Sequence, residues 1–186
     1  MESYMNRISN TGIVPVVKIL EKEDAYPLAK ALLNGGIDVI EVTYRSEHAT
    51  SAIQTISKEL PDMLVGAGTV LSVDQAKEAV EAGAKFIITP GFNTKVVQWC
   101  LDHGVEVYPG VSTASEVEMA LSMGLTQLKF FPAESSGGAK KLKDLSAPYA
   151  NVHFMPTGGI NTKNMHDYLA LPNVEAIGGS FMLPND

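Results

Sequence analysis

Apolar positions along the chain fall into short β-branched runs that alternate with longer amphipathic stretches. The extended runs cover 13–18, 37–43, 63–66, 85–89, 105–108, 126–131, 152–156 and 174–177, eight in all. Several, such as Phe86-Ile87-Ile88 and Leu64-Val65, are apolar without alternation, the pattern of parallel strands buried on both faces. Helical stretches lie between them near 23–34, 47–59, 73–82, 94–103, 113–123, 138–145 and 162–170. The junctions support this division. Asn34-Gly35-Gly36, Ala82-Gly83, His103-Gly104 and Met123-Gly124 each read as a helix end with glycine in the left-handed position, followed by a strand. Capping boxes open two helices, Ser72 with Gln75 and Thr113 with Glu116. Gly83, Gly104 and Gly124 recur at intervals of 21 and 20 residues. The pattern predicts an α/β protein of one domain spanning 1–186: a (β/α)8 TIM barrel lacking its final (eighth) helix. Tyr4, Met5 and Ile8 stand at helical spacing and predict a short N-terminal helix capping the barrel floor. An open doubly wound sheet is the alternative that the same alternation permits.

Composition narrows the function classes. The chain has 186 residues, 45% of them apolar, with a net charge of −7. The densest basic cluster is Lys140, Lys141 and Lys143, too small for a nucleic-acid footprint or an anchor to an anionic membrane. The single cysteine, Cys100, rules out an internal disulfide and a multi-cysteine zinc site. His48, His103, His153 and His166 lack ligand spacing, so no metal is expected. No apolar run reaches the length of roughly 18–20 residues that spans a bilayer. The polar first ten residues do not form a signal peptide. A soluble protein of the cytoplasm is expected.

The chemistry centres on Lys129, in Gln127-Leu128-Lys129-Phe130-Phe131-Pro132. Period-2 alternation puts Leu128 and Phe130 on the helix side, and Lys129 in the lumen beside Phe131. An apolar lumen disfavours a charged ammonium, and a neutral amine attacks a ketone to form a Schiff base. In Val39-Ile40-Glu41-Val42-Thr43-Tyr44-Arg45 the same parity rule points Glu41, Thr43 and Arg45 inward and Ile40, Val42 and Tyr44 outward. Glu41 and Arg45 stand about 13 Å apart along an extended strand, too far for an ion pair. Separate roles follow, Glu41 as general base or acid and Arg45 as a carboxylate clamp. Glycine loops end four of the strands, at Gly66-Ala67-Gly68-Thr69, Thr89-Pro90-Gly91, Thr157-Gly158-Gly159 and Gly178-Gly179-Ser180. Loops after the last two strands of such barrels commonly bind phosphate through backbone amides.

The segments Glu41-Val42-Thr43-Tyr44-Arg45, Gly66-Ala67-Gly68-Thr69-Val70, Lys129-Phe130-Phe131-Pro132-Ala133-Glu134 and Pro156-Thr157-Gly158-Gly159-Ile160 resemble those of the KDPG (2-keto-3-deoxy-6-phosphogluconate) and 4-hydroxy-2-oxoglutarate aldolases. The resemblance runs in order over nearly the whole chain. It implies a class I aldolase that needs no metal or cofactor, with Lys129 forming the iminium and Glu41 moving the proton. It further implies that Arg45 and Thr69 hold the pyruvyl carboxylate, with Pro90, Phe131 and Thr157 lining that pocket. Gly158, Gly159, Gly179 and Ser180 would cradle the phosphate of a phosphorylated 2-keto acid substrate, and the assembly would be a homotrimer. Tyr44 departs from the leucine usual in that motif, and the family continues with an eighth helix that this reading lacks. Two other functions remain compatible with the glycine loops alone: another phosphate-barrel isomerase or decarboxylase, and a non-catalytic sugar-phosphate binder.

Overall fold

The computed structural model describes residues 3–183. The described strands are β1 (Ile13–Val17), β2 (Val39–Thr43), β3 (Leu64–Gly68), β4 (Phe86–Ile88), β5 (Glu106–Tyr108), β6 (Gly110–Val111), β7 (Gln127–Phe130), β8 (His153–Pro156) and β9 (Ile177–Gly179). The described helices are α1 (Tyr4–Thr11), α2 (Ala25–Asn34), α3 (Ala49–Glu59), α4 (Val73–Ala82), α5 (Thr94–Asp102), α6 (Ala114–Ser122), α7 (Gly138–Ser146) and α8 (Met165–Leu169). Helix boundaries follow the sequence signals closely. Ser72 and Thr113 cap α4 and α6 through their side chains, and Glu116 closes a full capping box at the second. Gly83 ends α4 at φ 113°, in the left-handed conformation that glycine adopts without steric cost.

The expected continuous eight-stranded barrel is not formed. All strand pairs are parallel, but they make a curled six-stranded sheet in the order β5-β4-β3-β2-β1-β9 and a separate three-stranded sheet, β6-β7-β8. Pro109 is one cause. It has no amide to donate, and it divides the run into β5, which pairs with β4, and β6, which pairs with β7. On the other side β8 and the segment before and within β9 touch only through isolated bridges, Phe154 to Val174 and Thr157 to Gly178. The last strand also lies three residues later than the 174–177 run, beginning at Ile177. The open doubly wound alternative is not formed either, because only β9 lies beyond β1 in the large sheet and β6, β7 and β8 form a second sheet.

The two sheets nevertheless enclose one interior. Val14, Val39, Leu64, Phe86, Ile88 and Tyr108 from the large sheet pack with Met155 of β8 in a single buried cluster. Met5 and Ile8 of α1 join it, so the N-terminal helix closes the end of the interior where β2 and β3 begin. Glu106 holds this helix in place, accepting from the amide of Tyr4 and the hydroxyl of Ser3. The opposite faces of the strands pack under the helices: Ile40, Val42, Val65 and Ala67 in one layer, Leu128, Phe130 and Phe154 in another. Alternation along β2, β3 and β7 therefore aims every second residue into the interior. No described helix is long and apolar enough to cross a membrane.

Candidate active site

β2 and β7 belong to different sheets, and their inward residues meet across the interior. Lys129 is 4% exposed and Glu41 is 0% exposed, and Lys129 Nζ lies 3.3 Å from Glu41 Oε1. The Phe131 ring stands beside the same amine, its centroid 5.3 Å from Nζ. Lys129 is in register with Gly110 on one side and Met155 on the other. Glu41 Oε2 is buried with no hydrogen-bond partner. An unsatisfied buried carboxylate oxygen is costly to stability, and here it faces the interior next to a primary amine.

Missing side chains make this arrangement possible. On β3 the inward positions are Leu64, Gly66 and Gly68. A Cβ on Gly68 would stand 1.9 Å from Glu41 Oε1, and one on Gly66 would stand 2.0 Å from the Phe86 ring. Gly110 admits the carbonyl of Pro90, which would lie 2.2 Å from a Cβ there. Gly178 likewise leaves room for the Thr157 hydroxyl, 2.4 Å from its own missing Cβ. The sequence places Gly66 and Gly178 in glycine loops at strand ends, the second as part of a phosphate site, and gives no sign of the role of Gly110; the structure puts Gly66 and Gly68 inside β3. The period-2 spacing of Gly66 and Gly68 along a strand was the available signal for a space-making role.

The remaining expected residues lie at the ends of strands. Thr43 is buried and donates to Val17 O at 2.8 Å, and the exposed Arg45 donates from Nε to Thr43 Oγ1 at 3.0 Å. The terminal guanidinium nitrogens of Arg45 have no partner among the described residues. Thr69 follows Gly68 at φ 54°, a left-handed conformation that strains a β-branched residue and is typical of functional positions. Pro90 follows Thr89, whose hydroxyl donates to Gly91 O at 2.7 Å. Thr157 is 5% exposed with an unpartnered Oγ1, in a bridge with Gly178. Gly158 and Gly159 follow at φ 104° and 79°. The amides of Gly159 and Ser180 have no hydrogen bond among the described residues, whereas that of Gly158 turns toward Gly178 in the bridge and Gly179 is buried in β9.

Other candidates stand aside. Tyr44 points toward the helices as expected, its hydroxyl 3.1 Å from Thr50 Oγ1. Cys100 is buried in α5, and burial pushes its thiol up to about 12, so it is not a nucleophile near neutrality. His103 stacks on Trp99 and His153 sits 2.8 Å from Glu175. Among the described residues no three acidic, histidine or cysteine groups cluster as metal ligands would.

A buried amine against a buried carboxylate, in the interior of parallel strands, defines a site for imine chemistry on a carbonyl compound. The comparisons carry this to a family. The sequence matches the family described as "Aldolase: KDPG and KHG aldolase" over residues 4–186. It is 48% identical to the 2-dehydro-3-deoxy-phosphogluconate aldolase of Treponema pallidum, over 99% of this chain and 88% of that one. It is 47% identical to the KHG/KDPG aldolase of Escherichia coli K12, over 96% of this chain and 84% of that one. A solved KDPG aldolase from Legionella pneumophila, with pyruvate captured as a covalent carbinolamine, superposes with a TM-score of 0.95 at 42% identity. That match covers 99% of this chain and 89% of the other. The chain belongs to the KDPG and KHG aldolase family, and it is an aldolase, a carbon–carbon lyase.

Proposed function

We propose that the chain cleaves 2-keto-3-deoxy-6-phosphogluconate to pyruvate and glyceraldehyde 3-phosphate through an imine on Lys129, and also 4-hydroxy-2-oxoglutarate to pyruvate and glyoxylate. The observation that carries this is the Lys129–Glu41 contact of 3.3 Å between two buried side chains. With its proton passed to Glu41, the Lys129 amine attacks the C2 ketone, and the carbinolamine loses water, its hydroxyl taking that proton from Glu41, to give the iminium. Glu41 takes the proton of the C4 hydroxyl, directly or through a water, with Oε2 the oxygen that no protein donor occupies. The C3–C4 bond then breaks, its electron pair flowing into the iminium to leave an enamine while C4 departs as the aldehyde. The iminium is the electron sink of this step. Protonation of the enamine carbon and addition of water release pyruvate and regenerate the amine.

Arg45 and Thr69 bind the pyruvyl carboxylate in this reading. The free guanidinium nitrogens of Arg45 and the strained backbone of Thr69 support that role. Pro90, Phe131 and Thr157 line the pocket, and the Thr157 hydroxyl without a protein partner is available to substrate. The unpaired amides of Gly159 and Ser180, beside Gly158 and Gly179, support a phosphate cradle, since backbone N–H groups gathered at a glycine turn make an anion-binding concavity. The family resemblance supports a homotrimer in the cytoplasm, which sedimentation of the purified protein checks for assembly. Lys129→Ala tests the catalytic assignment. Cleavage falls to background with the circular dichroism spectrum retained, and a variant that keeps full activity overturns it.

A further inference from the structure

Between the strand that carries Lys129 and helix α8 lies a set of contacts that the reaction itself does not use. The turn after β7 runs alongside the loop after β8. The Ala133 amide donates to Thr157 O at 2.8 Å, and the Glu134 amide donates to Gly158 O at 3.1 Å. In a trans peptide the C=O and the following N–H point in opposite directions. Holding those two carbonyls therefore aims both following amides away from the turn, that of Gly158 toward Gly178 in the bridge and that of Gly159, which has no partner among the described residues, toward the open end of the loop. The side chain of Glu134 adds to the hold. Its Cγ stands 2.7 Å from where a Cβ on Gly159 would be, so only glycine fits beneath it. Its Oε1 accepts a hydrogen bond from the hydroxyl of Tyr168, a residue 1% exposed and packed in the core under α8.

We propose that Glu134 and Tyr168 are positioning residues that latch the Gly158–Gly159 loop, setting the direction of its amides and hence the affinity for the substrate's phosphate. This rests on the reading of that loop as the phosphate cradle. The latch acts through the main chain: Tyr168 fixes the Glu134 side chain, Glu134 seats on Gly159, and the amides of the turn fix the carbonyls. Neither Glu134 nor Tyr168 bonds Lys129 or Glu41, so loss of their hydrogen bond is expected to weaken phosphate recognition more than the handling of the pyruvyl end.

The test compares the wild-type protein with Tyr168→Phe, Glu134→Ala and Glu134→Gln. Three readouts are taken: kcat and KM for the phosphorylated 2-keto acid, competitive inhibition by inorganic phosphate, and half-saturation of borohydride trapping by pyruvate, which has no phosphate. Tyr168→Phe and Glu134→Ala raise KM and the phosphate inhibition constant roughly 3- to 10-fold, the effect of one lost hydrogen bond. In both variants kcat and pyruvate half-saturation stay near wild type, and Glu134→Gln, which keeps the acceptor oxygen, restores the wild-type KM. Equal losses with both ligands would mean a general structural role, and no change in KM would mean no latch; either overturns the proposal. Tyr168→Phe removes one hydroxyl and carries the test if Glu134→Ala folds poorly. If inorganic phosphate inhibits the wild-type protein and Tyr168→Phe alike, the cradle stands and the latch falls. If phosphate does not inhibit the wild-type protein at all, both fall.

Discussion

Lys129 and Glu41 form a buried ion pair that contributes little to stability, since such pairs are often matched or exceeded by apolar replacements. The double variant Lys129→Met with Glu41→Gln is expected to melt at the wild-type temperature or a few degrees above it, and to be inactive. A large drop in melting temperature would show instead that the pair holds the interior together. Glu41 in turn depends on Gly68. With a Cβ only 1.9 Å from Glu41 Oε1, Gly68→Ala must push the carboxylate aside. Steady-state cleavage is expected to fall on the order of 100-fold, the scale of an ångström-sized misplacement. The inward direction of Lys129, Glu41 and Thr43 was legible because strand alternation leaves no other face for polar residues when Leu128, Phe130, Ile40 and Val42 occupy the helix side. The shared role of Lys129 and Glu41 was implied by the resemblance, whereas the contact itself, across 88 residues, depends on how two sheets face each other.

Helices were read well where a local chemical signal marks their ends. The capping box at Thr113 is complete: Glu116 accepts from the amides of Ser112 and Thr113, and Thr113 Oγ1 accepts from the amide of Glu116. Burial works to raise the Glu116 carboxyl, but these bonds outweigh it and hold the group below its usual value. Thr113→Ala is expected to cost about 1 kcal/mol, read as a fall in melting temperature of roughly 2–4 °C for a chain of this size. Helix α1 is fastened by another acid. Burial tends to raise Asp38, yet hydrogen bonds from Thr11 and Arg7, with the Arg7 charge, leave it lowered. A lowered carboxyl stabilises the fold above its unfolded value and loses that contribution as pH falls through the folded one. Protection of the α1 amides, measured against the intrinsic exchange rate at each pH, is therefore expected to fall on acidification below about pH 4, and Asp38→Asn to lower that protection at neutral pH and weaken its pH dependence. Strand ends were the weaker part of the reading. β9 begins at Ile177 because its partner on the large sheet is Ile13, a pairing set by the closing geometry and not by the local sequence.

The whole molecule differs from the continuous barrel that the repeat of strand and helix implied. Among the described residues each strand of the repeat up to β8 is followed by its helix, and the interior cluster runs from β1 through β5 to β8. Closure of the hydrogen-bond ladder is a separate property. It fails at Pro109, and it thins to two bridges between β8 and the region of β9. A periodicity argument counts units, whereas closure depends on register and on single residues such as Pro109. The site survives the interruption because Lys129 stays tied across it, its amide donating to Pro109 O at 3.0 Å, while Glu41 lies in the middle of the large sheet. The central claim is that this interior holds an imine-forming lysine. Its most direct test is intact mass after incubation with pyruvate and borohydride, followed by peptide mapping. One reduced pyruvyl group on Lys129 is the predicted result. A folded sample with no adduct, or with the adduct on another lysine, would contradict the account.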